Sequence, residues 1–108
     1  MAKTINFTYK DEDYKLEFTR HSIEVMESQG INISDIGNKI VSSIPMLFRF
    51  SFLAHHKKME AKDIDEMYKL FIDKMALSNA LFEMLDETIN TLFDDPDDSK
   101  NAIKWEVN

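Results

Sequence analysis

His55 and His56, adjacent near the end of "FRFSFLAHHKK" (residues 48–58), are the first side chains here equipped for chemistry. Imidazoles bind metals and shuttle protons. Neighbours on a helix diverge by about 100°, so one metal does not easily take both. The zinc-protease arrangement needs histidines four apart with a glutamate between them, and that pattern does not occur. His56 and Glu60 are four apart, yet no third ligand stands at useful spacing. The pair is therefore read as structural, capping or packing near a helix C-terminus, and His21 early in a first helix is read the same way.

The carboxylates argue no better for catalysis. Asp63, Asp65 and Glu66 open a helix, where negative charge suits the dipole. "DDPDDSKN" lacks the glycine and terminal glutamate of an EF-hand loop. With two glycines, Gly30 and Gly37, the chain cannot build a glycine-rich phosphate cradle, and it carries no serine-nucleophile signature. No catalytic residue, metal site or cofactor is expected.

The bulk composition bounds the rest. A chain of 108 residues is one domain, and 44% hydrophobic with 31% charged residues is ordinary for a globular protein. Two glycines and two prolines favour helices with few breaks. The absence of cysteine excludes disulfide and thiolate chemistry and fits a cytoplasmic setting. "MAKTINFTYKDED" has no apolar core of signal-peptide length, and no run is long enough to span a membrane. The net charge of −7 is uneven: residues 1–58 carry 8 basic against 7 acidic side chains, and residues 59–108 carry 5 against 13. An acidic half repels phosphate backbones, so neither nucleic acid nor membrane is an expected partner. The charge is read as a solvated helical face and an acidic tail, or as what keeps an apolar binding protein in solution.

The expected fold class is α+β, mainly α: an N-terminal β-hairpin, about four helices, and a short C-terminal strand as an option. In "TINFTYKDEDYKLEF", Ile5, Phe7 and Tyr9 alternate with polar residues, as do Tyr14, Leu16 and Phe18. The linking "KDED" lacks the Asn-Gly or Asp-Gly that would fix a two-residue turn. Thr19 caps a first helix, "RHSIEVMESQ", and Gly30 ends it in the left-handed region with Ile31 packing back. "NISDIGNK" connects, with a short helical turn begun by Ser34. A second helix spans 44–58, capped by Ser42 or Ser43, with Pro45 in its first turn. A strand would also align Met46, Phe48, Phe50 and Phe52, but the length of the run favours a helix. A third helix covers "KDIDEMYKLF". A fourth, capped by Asp73 or Ser78, carries the stripe Leu77, Leu81, Met84, Leu85 and Ile89 and stops before "DDPDD". Residues 1–93 form the domain and 94–108 an acidic tail, in which 102–107 are either a third strand or a peptide that pairs with a partner's sheet edge.

Helix 44–58 is apolar nearly all round, so it lies in the core or covers an interface. The seven methionines point the same way, since methionine fills core gaps and also lines adaptable binding surfaces. The partner-binding residues expected are Phe48 and Phe52 on the second helix, Leu77, Leu81 and Met84 on the fourth, and Trp105 in the tail. That placement fails if Phe48, Phe52 and Leu81 are wholly buried in a single chain.

The order "YKLEFTRHSIEVMESQGINISDI", "IPMLFRFSFLAHHKK", "IDEMYKLF" resembles a family of tail assembly chaperones from long-tailed phages and prophages of Gram-positive bacteria. "LEFTR", "MESQG" and "FLAHH" are its most specific pieces, and the likeness covers most of residues 7–93. The resemblance implies a non-catalytic helper in the host bacterial cytoplasm, absent from the finished virion. It would bind the long helical tape measure protein and keep it soluble until tail tube subunits polymerise around it. The tail tube protein and further copies of the chain itself are the other partners implied. No family residue carries a role transferable to a position here. A different class of reading is a small acidic regulator or inhibitor that occupies a basic surface of a host protein.

Overall fold

A computed structural model describes residues 3–94 and 101–107. Its order is β1 (Ile5–Tyr9), β2 (Glu12–Leu16), α1 (Arg20–Ser28), a 3-10 turn (Ile33–Asn38), α2 (Ile40–Phe50), α3 (Ala61–Leu70) and α4 (Lys74–Thr91). The α+β, mainly α class expected from the sequence is the observed one.

The hairpin pairs antiparallel from Ile5↔Leu16 to Tyr9↔Glu12. Its link is only Lys10 and Asp11, both at positive φ (50° and 65°), which is the backbone of the tight hairpin turns that match strand twist. This corrects the longer "KDED" loop: two non-glycine residues accept the left-handed region because the paired strands on either side hold them there. The face carrying Ile5, Phe7, Tyr9, Tyr14 and Leu16 packs on the helices, and Leu16 is fully buried.

Helix α1 ends as its residues dictate. Thr19 Oγ1 accepts from the Ser22 N–H, while Ser22 Oγ accepts from the Thr19 N–H, a reciprocal box at 3.1 Å each. At the other end Gly30, at φ 83°, sends its N–H to Glu27, and Ile31 sends its N–H to Met26, the paired bonds of a Schellman motif.

Helix α2 departs from expectation at both ends. It begins at Ile40 with no side-chain cap, so Ser42 and Ser43 lie inside it and Pro45 is interior rather than in the first turn. Proline there cannot donate to the Val41 carbonyl, and Val41 itself is exposed. The helix stops at Phe50, eight residues short of expectation, and continues as turns. The cause is tertiary: the Ser51 carbonyl, which a longer helix would use, accepts the Glu17 N–H instead at 3.0 Å. Ser51 Oγ also donates to the Phe48 carbonyl, at 2.6 Å.

Asp73 caps α4 from the left-handed region (φ 57°), accepting from the Ala76 N–H. Lys74 Nζ reaches back to the Lys69 and Phe71 carbonyls, 3.0 Å each, fastening the end of α3 to the start of α4. Deep in the core, the Thr88 hydroxyl lies 3.0 Å from the Phe18 and Met84 carbonyls and ties α4 to the exit of β2. Of the two readings of 102–107, the third strand does not form: the sheet has two strands, and residues 102–107 run without regular structure. Most of the acidic "DDPDD", residues 95–98, lies outside the described residues.

Candidate interaction surface

Five of the six expected partner-binding side chains are not on a surface. Phe48 and Leu81 are fully buried, Phe52 and Met84 nearly so, and Leu77 is buried with them. Phe48 is ringed by Phe52, Tyr68 and Phe71 with centroids 5.1, 5.4 and 5.2 Å away, in the tilted and edge-to-face arrangements that aromatic rings prefer. Phe7 extends this cluster to the hairpin, stacked on Tyr14 at 5.1 Å. Leu77, Leu81, Met84 and Leu85 of α4 belong to the same buried core. The placement of a client surface on Phe48, Phe52, Leu77, Leu81 and Met84 is therefore corrected: these residues hold the fold together. Trp105, by contrast, is 80% exposed.

The histidines join this chain to itself. His55 Nε2 sits 2.7 Å from Glu17 Oε1. His56 Nε2 accepts the Lys15 main-chain N–H at 3.1 Å, with its ring 5.0 Å from Tyr14. They bind β2 from the turn after α2 rather than cap a helix. Among the described residues no group of three or more histidines and carboxylates is arranged to hold a metal. Beside them, burial and a hydrogen bond to Glu12 hold the Tyr14 hydroxyl above its ordinary pKa.

Besides a groove of about 620 Å³ between the 3-10 turn and α4, lined in part by Ile33, Phe82 and Ile89, two further apolar grooves open to solvent. The first, of about 540 Å³, runs along the outer side of α2 and is floored by Ile31, Met46, Phe50, Leu53, Met59 and Ile64. Its side chains come from four places: the segment just after α1, successive turns of α2, the turns after it, and the start of α3. Arg49 stands at its rim, held by Asp65, whose carboxylate accepts from Arg49 Nε at 2.8 Å and from Nη2. The second, of about 360 Å³, lies between β1 and the end of α3, lined by Phe7, Tyr9, Met67, Leu70, Phe71 and Ile72. Leu70 and Ile72 project there, with Ile72 92% exposed, and Met75 is also exposed at the α3–α4 corner.

The family model for a domain of unknown function, DUF5055, matches residues 1–108. The chain belongs to that family. No curated protein and no solved structure matches it. DUF5055 is a domain of unknown function, and the surface of this DUF5055 chain carries the features that bear on a role. The groove residues Met46, Phe50 and Leu53 are legible in sequence only as members of a nearly all-apolar run. Phe48 and Phe50 are two apart, which turns them about 200° from each other on a helix: one enters the core and the other the groove. No helix among the described residues is long and apolar enough to cross a membrane.

Proposed function

We propose that this chain is a non-catalytic chaperone of phage tail assembly, working in the host cytoplasm. It binds an amphipathic helical client, the tape measure protein, and releases it when tail tube subunits polymerise. The sequence resemblance names the client. The observation that carries the reading is the half-open groove beside α2, where two methionines, Met46 and Met59, flank Phe50 and Leu53. An amphipathic helix lays its apolar side chains into such a groove, and methionine adapts to varied ones. The client face thus lies on the expected second helix, on its Met46–Phe50–Leu53 side. Individual contacts are modest, and many chaperones along one long client add avidity.

The test is co-expression of the tape measure protein of the same tail operon with this chain, scored by soluble fraction and co-elution. Wild type renders the client soluble and elutes with it. Leu53→Lys, at a half-buried groove position outside the core cluster, loses co-elution while keeping its melting temperature. A client that stays insoluble beside wild type sinks the tape-measure role. Capture undiminished by Met59→Lys and by Leu53→Lys sinks the groove.

A further inference from the structure

The two edges of the hairpin are unlike. Lys15 turns its N–H outward from β2 to His56, and Glu17 turns its N–H to Ser51. Lys15 pairs with Asn6 across the ladder. In such an antiparallel pair both residues point their main-chain groups away from each other. Asn6 therefore points its N–H and C=O outward from β1, and Thr8, two residues on, does likewise. Among the described residues none of these groups has a hydrogen-bond partner. An unpaired edge is a template for another strand. It runs beside the 360 Å³ groove where Leu70 and Ile72 stand exposed.

The same chain carries a segment that fits this edge. Ile103, Trp105 and Val107 alternate with Lys104 and Glu106, which in an extended chain puts the three apolar side chains on one face. All three are 80% or more exposed. Laid along the five residues of β1, that face meets Phe7, Leu70 and Ile72, while Lys104 and Glu106 turn to water beside Asn6 and Thr8.

We propose that residues 103–107 of one chain pair as a strand with β1 of a second copy, and that the exchange is reciprocal. Helix α4 is about 27 Å long, running from the groove beside its first turn to its far end. Residues 103–107 pair with no strand of their own chain here, and their apolar side chains stand exposed, available to a neighbour. Reciprocal exchange uses one edge and one tail from each copy, so it closes at two. The pairing stands apart from the client groove on α2 and does not depend on what the client is.

Trp105 is the one tryptophan of the chain, so its emission reports the docking directly. The experiment is sedimentation velocity on the full-length protein across a broad concentration range, with tryptophan emission recorded in parallel. The expected result is a shift from one to two chains accompanied by a blue shift. Trp105→Ser and Ile72→Lys change exposed positions; each weakens self-association about tenfold or more with melting unchanged. Mixing the two variants leaves one of the two pairings intact, an intact tail on an intact edge, so the mixed dimer keeps a native-like half and a blue-shifted tryptophan that neither variant alone gives. A wild type that remains a single chain overturns the proposal; blue emission in that case places the tail on its own edge. Self-association untouched by both variants overturns it as well.

Discussion

The main-chain N–H of Lys15 is bound by the side chain of His56, 3.1 Å away and 41 residues later in the chain. An imidazole nitrogen that accepts must be unprotonated, so His56 carries its proton on Nδ1 in this arrangement. His56→Ala removes the acceptor, leaves the Lys15 N–H to water, and deletes the ring contacts with Tyr14 and Phe52. The expected loss is about 1–2 kcal/mol in urea unfolding. His55→Ala breaks only a partly exposed pair with Glu17 and costs less, under about 1 kcal/mol.

Asp65 gives the protein an acid-sensitive contact. Hydrogen bonding from Arg49, aided by its charge, holds the carboxyl below the ordinary carboxylate range, with burial opposing this more weakly. A folded-state pKa below the unfolded one adds stability above the ordinary carboxylate range, and that stability is lost as pH falls through the folded value. Both side chains are more than a third exposed, so solvent screening keeps the contribution to no more than about 1 kcal/mol. Asp65→Asn should lower stability at neutral pH and flatten its fall in acid. Thermal melts of both proteins across that range check this, and parallel curves would contradict it.

Gly30 isolates backbone strain from packing. A Cβ placed there meets nothing within 4 Å, yet φ is +83°. Gly30→Ala should therefore cost about 1–2 kcal/mol through left-handed strain alone. Gly30→Asn should cost less, because asparagine tolerates this region. Equal losses for the two, measured by chemical denaturation, would point to a clash instead.

Core and corner should separate cleanly. Phe48→Ala empties the centre of the aromatic cluster and should cost about 3–5 kcal/mol, a large part of a small domain's total stability. Ile72→Ser, at an exposed position, should change stability by less than about 0.5 kcal/mol. Calorimetry on the two variants tests whether the burial of Phe48 and the exposure of Ile72 hold in solution.

Elements with local signals were legible in the sequence. The alternation at Ile5, Phe7 and Tyr9 marks a strand; Thr19 and Gly30 mark both ends of α1; Asp73 marks the start of α4. The misses have non-local causes. The end of α2 is set by Glu17 taking the Ser51 carbonyl, a contact between distant parts of the chain. The turn at Lys10 and Asp11 lacks a glycine because strand pairing imposes its backbone. The candidate surface was the least legible part. An amphipathic helix declares its buried side, but the run from Ile44 is apolar nearly all round, so only the packing of α3, α4 and the hairpin selects Phe48 for the core and Phe50 for the groove.

The bonds that close the β2 edge also divide the hairpin in time. The Lys15 and Glu17 amides are held by His56 and Ser51, residues in place only while α2 is packed. Their hydrogens exchange with solvent deuterium only when that packing opens. In an unpaired chain the Asn6 and Thr8 amides on the opposite strand exchange at once. Neighbouring strands of one small sheet thus keep different clocks, and the slow one is set by a helix more than twenty residues downstream.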